Sequence, residues 1–150
     1  MTDKAKSAEL ILKLYELRRE EVMRRARNWF FAFNPESVED VFNAARGEDS
    51  ALYRMVTSYW DMACSFVNHG VIDEEMFNDA NGEHNFVFAK VQPHVTQLRQ
   101  MTNNPSYLAH IEKVVMRHPD AEARLAHLRE MAKRMTATRN EQAQTDAANA

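Results

Sequence analysis

The stretch SALYRMVTSYWDMACSFVNH, residues 50–69, decides the fold of this chain. Its apolar side chains recur at helical spacing and cover most of the circumference of the helix that they predict. A helix that is apolar on nearly all sides is buried by its neighbours. The stretch therefore predicts a central core helix over about residues 50–69, around which the other elements pack.

The sequence on both sides of this core helix is also helical in pattern. The three glycines fall where helical patterns stop or restart, unlike the frequent glycine turns of a β-rich fold. Ser37 with Asp40 forms a capping-box pattern, and Pro93 predicts a kink or a break in the helix that contains it. Periodicity predicts six further helices, over about 4–33, 36–45, 73–79, 82–101, 105–117 and 119–139. We therefore predict an all-α, irregular multi-helix domain of about six or seven helices.

Length and composition indicate one domain. A chain of 150 residues is long enough to bury about two-thirds of the surface that its unfolded form exposes. We assign residues 1–140 to a single helical domain. The remaining residues, EQAQTDAANA, contain no large apolar side chain, and we predict a disordered tail over 141–150.

Charge, apolar runs and cysteine content narrow the class of protein. No run approaches the roughly 20 apolar residues that cross a bilayer, so we expect no transmembrane segment. One cysteine, Cys64, excludes an intramolecular disulfide and favours a reducing cytoplasm. Residues 1–33 carry eight basic and five acidic side chains, whereas residues 34–85 carry two basic and eleven acidic ones. No segment has the strong positive field of a nucleic-acid-binding protein, and this polarity favours pairing between subunits.

The polar segment NHGVIDEEMFNDANGEH, residues 68–84, is the first candidate site. A calcium loop centred on Gly82 would place Phe77 and Phe88 where carboxylate ligands are required, so that hypothesis fails. The histidine and cysteine spacings match no zinc motif. Most of the acidic side chains fall at predicted helix ends, where they favour the helix dipole. We therefore predict no metal and no cofactor.

Asp61, Ser65 and Asn68 recur at i, i+4 and i+7 and form a polar stripe on the core helix. If the stripe faces solvent, it needs no function. If it is buried, Asp61 needs a charged or multiply hydrogen-bonded partner, because an unpaired buried charge costs several kcal/mol. The candidate partners are Arg25, Arg54, His69, His84 and Lys90. A third alternative is a small-ligand pocket beside the helix, formed by Asp61, Asn68, His69, Glu83 and His84.

Trp29, Phe30 and Phe31 are consecutive aromatic side chains that cannot all point inward from one helix. One of them is a candidate for a subunit contact. The sequence contains no Gly-rich phosphate loop, no G-x-S-x-G and no H-E-x-x-H. It therefore favours a non-enzymatic cytoplasmic protein that binds itself or another protein, with a small-ligand or metal-binding protein that uses this polar pocket as the alternative.

The stretch YWDMACSFVNHGVIDEEMFNDANGEHNFVFAKVQP, residues 59–93, resembles a family of uncharacterised bacterial all-helical proteins, labelled a domain of unknown function. The resemblance spans about residues 14–118. Some members carry an N-terminal membrane helix, which this sequence lacks, so the resemblance implies a soluble version. It implies no activity, cofactor or catalytic residue.

Overall fold

The computed structural model describes residues 2–150, which form nine α-helices and no β-strand. A 3-10 turn, Gln92–His94, lies between the sixth and seventh helices. The predicted irregular all-α domain is confirmed. The helices are α1 (Lys4–Arg18), α2 (Glu21–Ala32), α3 (Val38–Arg46), α4 (Ser50–Asn68), α5 (Glu74–Ala80), α6 (Glu83–Val91), α7 (Val95–Met101), α8 (Ala109–Met116) and α9 (Ala121–Ala148).

Helix α4 is the predicted core helix. It packs most extensively against α8 and α2, and α3 covers its first turns. Trp60 and Tyr53 on α4 are fully buried, and the hydroxyl of Tyr59 donates to the carbonyl of Leu14 in α1. Helix α6 packs between α4, α8 and α9. The core is therefore one continuous cluster built around α4.

The single first helix predicted over 4–33 is wrong, because the chain divides it into α1 and α2. Leu14 and Met23 are both buried, yet they are nine residues apart. At about 100° per residue, that separation would place them on opposite faces of one continuous helix. Glu20 adopts an extended backbone at the break, and its carboxylate caps α2 by accepting from the Met23 amide. The break lets both side chains face the core.

The predicted interruption at Pro93 is confirmed. The 3-10 turn Gln92–His94 separates α6 from α7. A proline nitrogen cannot donate, so the carbonyl of Ala89 loses its helical partner. Arg129 of α9 supplies the missing donor, with its Nη1 at 3.0 Å from that carbonyl oxygen. Helix α9 thus supplies the hydrogen bond that Pro93 removes from the end of α6.

The capping of α3 is as predicted, whereas the start of α8 is not. The Ser37 hydroxyl accepts from the Asp40 amide, and α3 begins at Val38. The helix predicted over 105–117 begins only at Ala109, because turns occupy the preceding residues. Leu108 ends these turns in the left-handed conformation, with φ of 55°.

Helix α9 runs to Ala148, beyond the end predicted near residue 139. Its first half buries Ala121, Leu125 and Ala132, whereas every residue from 137 onward is exposed. Disorder of residues 141–150 in solution stays a prediction. Within residues 2–150, no helix combines the length and the low polarity needed to cross a membrane.

Candidate functional site

Two residues of the polar stripe of α4, Asp61 and Asn68, bond to α8. The carboxylate of Asp61 accepts from the backbone N–H of Ile111, at 2.9 Å, in the first turn of α8. The Asn68 amide donates to the carbonyl of His110, at 3.1 Å, and accepts from Arg117. Asp61 of α4 therefore caps the N-terminus of α8. Its partner is a backbone amide, and not one of the side chains that the sequence suggested.

Glu83 lies on a different side of α4, in an ion pair with Arg27 of α2. The guanidinium donates to both carboxylate oxygens, with the closest contact at 2.7 Å. Hydrogen bonding to Glu83 raises the pKa of Arg27. The indole N–H of Trp60 donates to the same carboxylate at 3.1 Å. The three side chains join α2, α4 and α6.

His84 is buried between the rings of Trp60 and Phe77, with ring centroids at 5.6 and 5.0 Å. Its Nδ1 has no hydrogen-bond partner among the described residues. Burial lowers the pKa of His84 to about 4, an effect that Arg124 reinforces and Glu83 opposes. The ring is therefore neutral at physiological pH.

The five predicted pocket residues thus fall into separate sets of contacts. Asp61 and Asn68 contact α8, whereas Glu83 and His84 contact Trp60. His69 is exposed at the end of α4 and lies against the ring of His110. A role of these residues in ligand binding stays a prediction, and the contacts do not assemble them around one space.

Two cavities flank α4. The cavity beside α8 has a volume of about 460 Å³ and is lined in part by Tyr53, Asp61 and Tyr107. The two tyrosine hydroxyls in its wall bond each other at 2.6 Å. Burial raises the pKa of both tyrosines. The cations in the lining of this cavity, Arg46 and Arg54, are exposed, so its wall contains no buried cation.

The cavity between α2, α6 and α9, called the α9 cavity below, has a volume of about 400 Å³. Val56 of α4 and Val87 of α6 contribute to its apolar walls. Its charged side chains are the Arg27–Glu83 ion pair and Lys90. Apolar walls with a few convergent polar groups are typical of small-molecule sites.

Lys90 is the unusual residue of this cavity because it is only 5% exposed. Its ammonium donates to the carbonyls of Phe30 and Phe31, each at 2.8 Å, in the last turn of α2. Among the described residues, no carboxylate lies within ion-pair distance of its Nζ. Burial alone lowers the pKa of Lys90 to about 8. A buried cation without a counter-charge is rare in folded proteins.

The sequence indicated Lys90 only as one possible partner of a buried Asp61, and not as part of a cavity. The available signal is its position in FVFAKV, residues 86–91, where a lysine interrupts an otherwise apolar run. A lysine in such a run is most simply an exposed side chain on an amphipathic helix. Only the packing of α2 and α9 on α6 shows that it is buried.

The three consecutive aromatic residues of α2 all have partners within the chain. Phe30 is buried in the core, and Trp29 stacks on Phe33 with a centroid distance of 5.0 Å. Phe31 lies between two cations, Lys90 at 5.8 Å and Arg139 at 5.1 Å from the ring centroid. The involvement of these aromatics in a subunit contact stays a prediction.

Metal-ligating side chains do not cluster in the described part of the chain: residues 2–150 contain no group of three or more His, Cys, Asp or Glu side chains arranged to hold a metal ion.

Fold and site together define an all-α domain that encloses a small apolar cavity with a buried lysine in its wall. The chain belongs to a family described as a domain of unknown function (DUF4760), whose model matches residues 5–118. The predicted resemblance to a domain of unknown function is thereby confirmed. No curated protein and no solved structure matches the chain. Helix α9, which closes the cavity, lies beyond the matched residues.

Proposed function

We propose that this protein binds a small apolar ligand that carries a negatively charged group, and that the ligand occupies the α9 cavity. The observation that carries the proposal is Lys90, a buried cation in the cavity wall with no counter-charge among the described residues. A ligand anion would supply that charge. The apolar walls would hold the rest of the ligand.

Lys90 also has a structural role, because it caps the C-terminus of α2. That role accounts for two of the three protons of its ammonium group. Two carbonyl dipoles carry only a partial negative charge, so they do not compensate a full positive charge in a nearly dry site. A carboxylate or phosphate within reach of the third proton would form a charge-assisted hydrogen bond, which is stronger than a neutral one.

The first test is a titration with octanoate, measured by isothermal titration calorimetry. We expect saturable binding of one octanoate per chain. Met135→Trp should lower the affinity about tenfold or more, because Met135 lines the cavity and the larger ring would obstruct it. Met62→Trp is the matched control, since Met62 is 40% exposed against 41% for Met135 but lies outside the cavity lining. Equal effects of the two substitutions, or no binding at all, would overturn the proposal.

A second titration isolates the charge. Lys90→Met should abolish the preference for octanoate over 1-octanol while retaining binding of the alcohol, because the apolar walls are unchanged. A variant that still prefers the carboxylate would show that Lys90 is not the anion partner.

We propose self-association as a second candidate function, because α1 exposes apolar side chains away from the core. Leu12 is 67% exposed and Tyr15 52%. The partner is a second copy, in which the basic α1–α2 region of one chain faces the acidic residues 34–85 of the other. A stable interface of this kind would bury about 1,000 Å² or more.

We further propose that the protein is cytoplasmic. The buried Cys64, which forms no disulfide, is consistent with that location.

Sedimentation of the intact chain tests the self-association. Leu12→Glu should shift a dimer toward monomer, and high salt should weaken it because opposite charges face each other. A chain that remains monomeric at high concentration and low salt would remove this candidate.

A further inference from the structure

A second cavity, called the basic cavity below, adjoins Lys90 on the side of the 3-10 turn. Its volume is about 270 Å³. The side chains of Lys90, His94, Arg129 and Lys133 contribute to its lining, and Glu36 is the acidic side chain in the same wall. Lys90 thus belongs to the lining of both cavities.

The cations of the basic cavity are only partly neutralised by the chain. Arg129 donates through Nη1 to the Ala89 carbonyl and to the Gln92 side chain, both of which are uncharged. Lys133 is exposed, and its contact with Glu130 is long, at 3.8 Å between Nζ and Oε1. Such a surface pair contributes little energy, so Lys133 remains free to contact a ligand.

The two cavities have complementary chemistry on either side of Lys90. The α9 cavity is lined mainly by apolar side chains, whereas the basic cavity is lined mainly by polar and cationic ones. One carboxylate would need only one cation. Several cations around one space favour a group with a larger charge and more acceptor oxygens, and a phosphate monoester carries a charge of about −1.5 to −2 at neutral pH.

We propose that the ligand is an amphipathic phosphate monoester, whose alkyl chain occupies the α9 cavity and whose phosphate occupies the basic cavity, with Lys90 between the two. This inference rests on the proposed ligand-binding function and specifies the ligand class. It assigns Lys133 and Arg129 as head-group ligands.

The test compares octyl phosphate, octanoate, 1-octanol and inorganic phosphate by calorimetry on the full chain. We expect octyl phosphate to bind about tenfold or more tightly than octanoate, since it adds charge-assisted contacts. Inorganic phosphate should bind far more weakly than octyl phosphate, because it lacks the alkyl chain. Lys133→Gln should weaken octyl phosphate binding about threefold to fivefold and leave 1-octanol unaffected. Arg134→Gln is the matched control, because Arg134 is the exposed neighbour of Lys133 outside the cavity lining.

The outcomes separate this inference from the function on which it rests. If octyl phosphate binds no better than octanoate and Lys133→Gln has no effect, the phosphate assignment is overturned while the ligand-binding proposal stands. If inorganic phosphate binds as tightly as octyl phosphate, the amphipathic assignment is overturned. If none of the alkyl probes binds, the proposed function fails and this inference fails with it.

Discussion

The two sides of α4 differ in how completely their buried polar groups are paired. On the side that faces α8, Asp61 and Tyr53 are paired with groups of the chain itself. On the side that faces α2 and α6, the Nε of Arg18 and the Nδ1 of His84 are buried with no hydrogen-bond partner within residues 2–150, and both side chains lie against Trp60. Lys90 extends this second region with a charge that has no counter-ion among the described residues. Paired polar groups specify how helices dock, whereas unpaired polar groups are free to form hydrogen bonds with a ligand.

The largest effect that tests this contrast comes from acid. The pKa of His84 is about 4 in the folded chain, against 6.5 for an ordinary histidine. Between these values the unfolded chain binds more protons, so stability is retained above pH 6.5 and lost as the pH falls toward 4. We expect a loss on the order of 3 kcal/mol from this residue. Urea unfolding of wild type and of His84→Phe at both pH values measures it, because the variant lacks that component. An equal pH dependence in both proteins would contradict the assignment.

The next effect concerns the paired side. Asp61→Ala removes the acceptor for the buried Ile111 amide at the start of α8, and should lower the free energy of unfolding by about 1–2 kcal/mol. It should leave octanoate binding unchanged. Ser65→Ala is the control on the same stripe, because the Ser65 hydroxyl bonds only within α4. If Asp61→Ala abolished ligand binding instead, the cavity beside α8 would become the site.

A smaller effect is expected on the unpaired side. Lys90→Met loses two hydrogen bonds to α2 but also removes an uncompensated buried charge, so we expect the free energy of unfolding to change by less than about 1 kcal/mol. The midpoint of urea unfolding measures this. A decrease in the free energy of unfolding above about 2 kcal/mol would show that Lys90, like Asp61, serves mainly to dock helices.

The smallest effect concerns the end of α9. Deletion of residues 140–150 should change the free energy of unfolding by less than about 0.5 kcal/mol, since these residues are exposed. Their amides should exchange with solvent rapidly, because a helical segment without tertiary packing is marginally stable in water. Slow exchange there, comparable to that around Leu125, would show that this segment packs against a partner.

Much of the fold was predictable because its signals are local. Helix α4 lies where its apolar circumference placed it, and the capping residue Ser37 and the interruption at Pro93 were identified from single residues. The break between α1 and α2 was not predicted, because the burial of Met23, which is out of phase with Leu14 in one helix, is seen only in the structure. The left-handed Leu108 was not readable, because leucine carries no preference for that conformation.

The site was much less predictable, because its contacts join residues far apart in the chain. The partner of Asp61 is a backbone amide fifty residues away. Lys90 contacts carbonyls about sixty residues earlier, and a backbone carbonyl has no signature in the sequence. The sequence shows that a lysine interrupts an apolar run, but it does not show which helix covers that lysine.

Pro93 has a consequence for how much of this chain must fold as one cooperative unit. It leaves the Ala89 carbonyl to be satisfied by Arg129, which lies eleven residues beyond the last residue of the family match. A chain ended at residue 118 would leave that carbonyl to water and uncover the face of α6 on which α9 packs. The region matched by the family model therefore ends before the last helix that the core needs, since Leu125 of α9 is part of that core. A domain cut at the family boundary would lack part of its own interior.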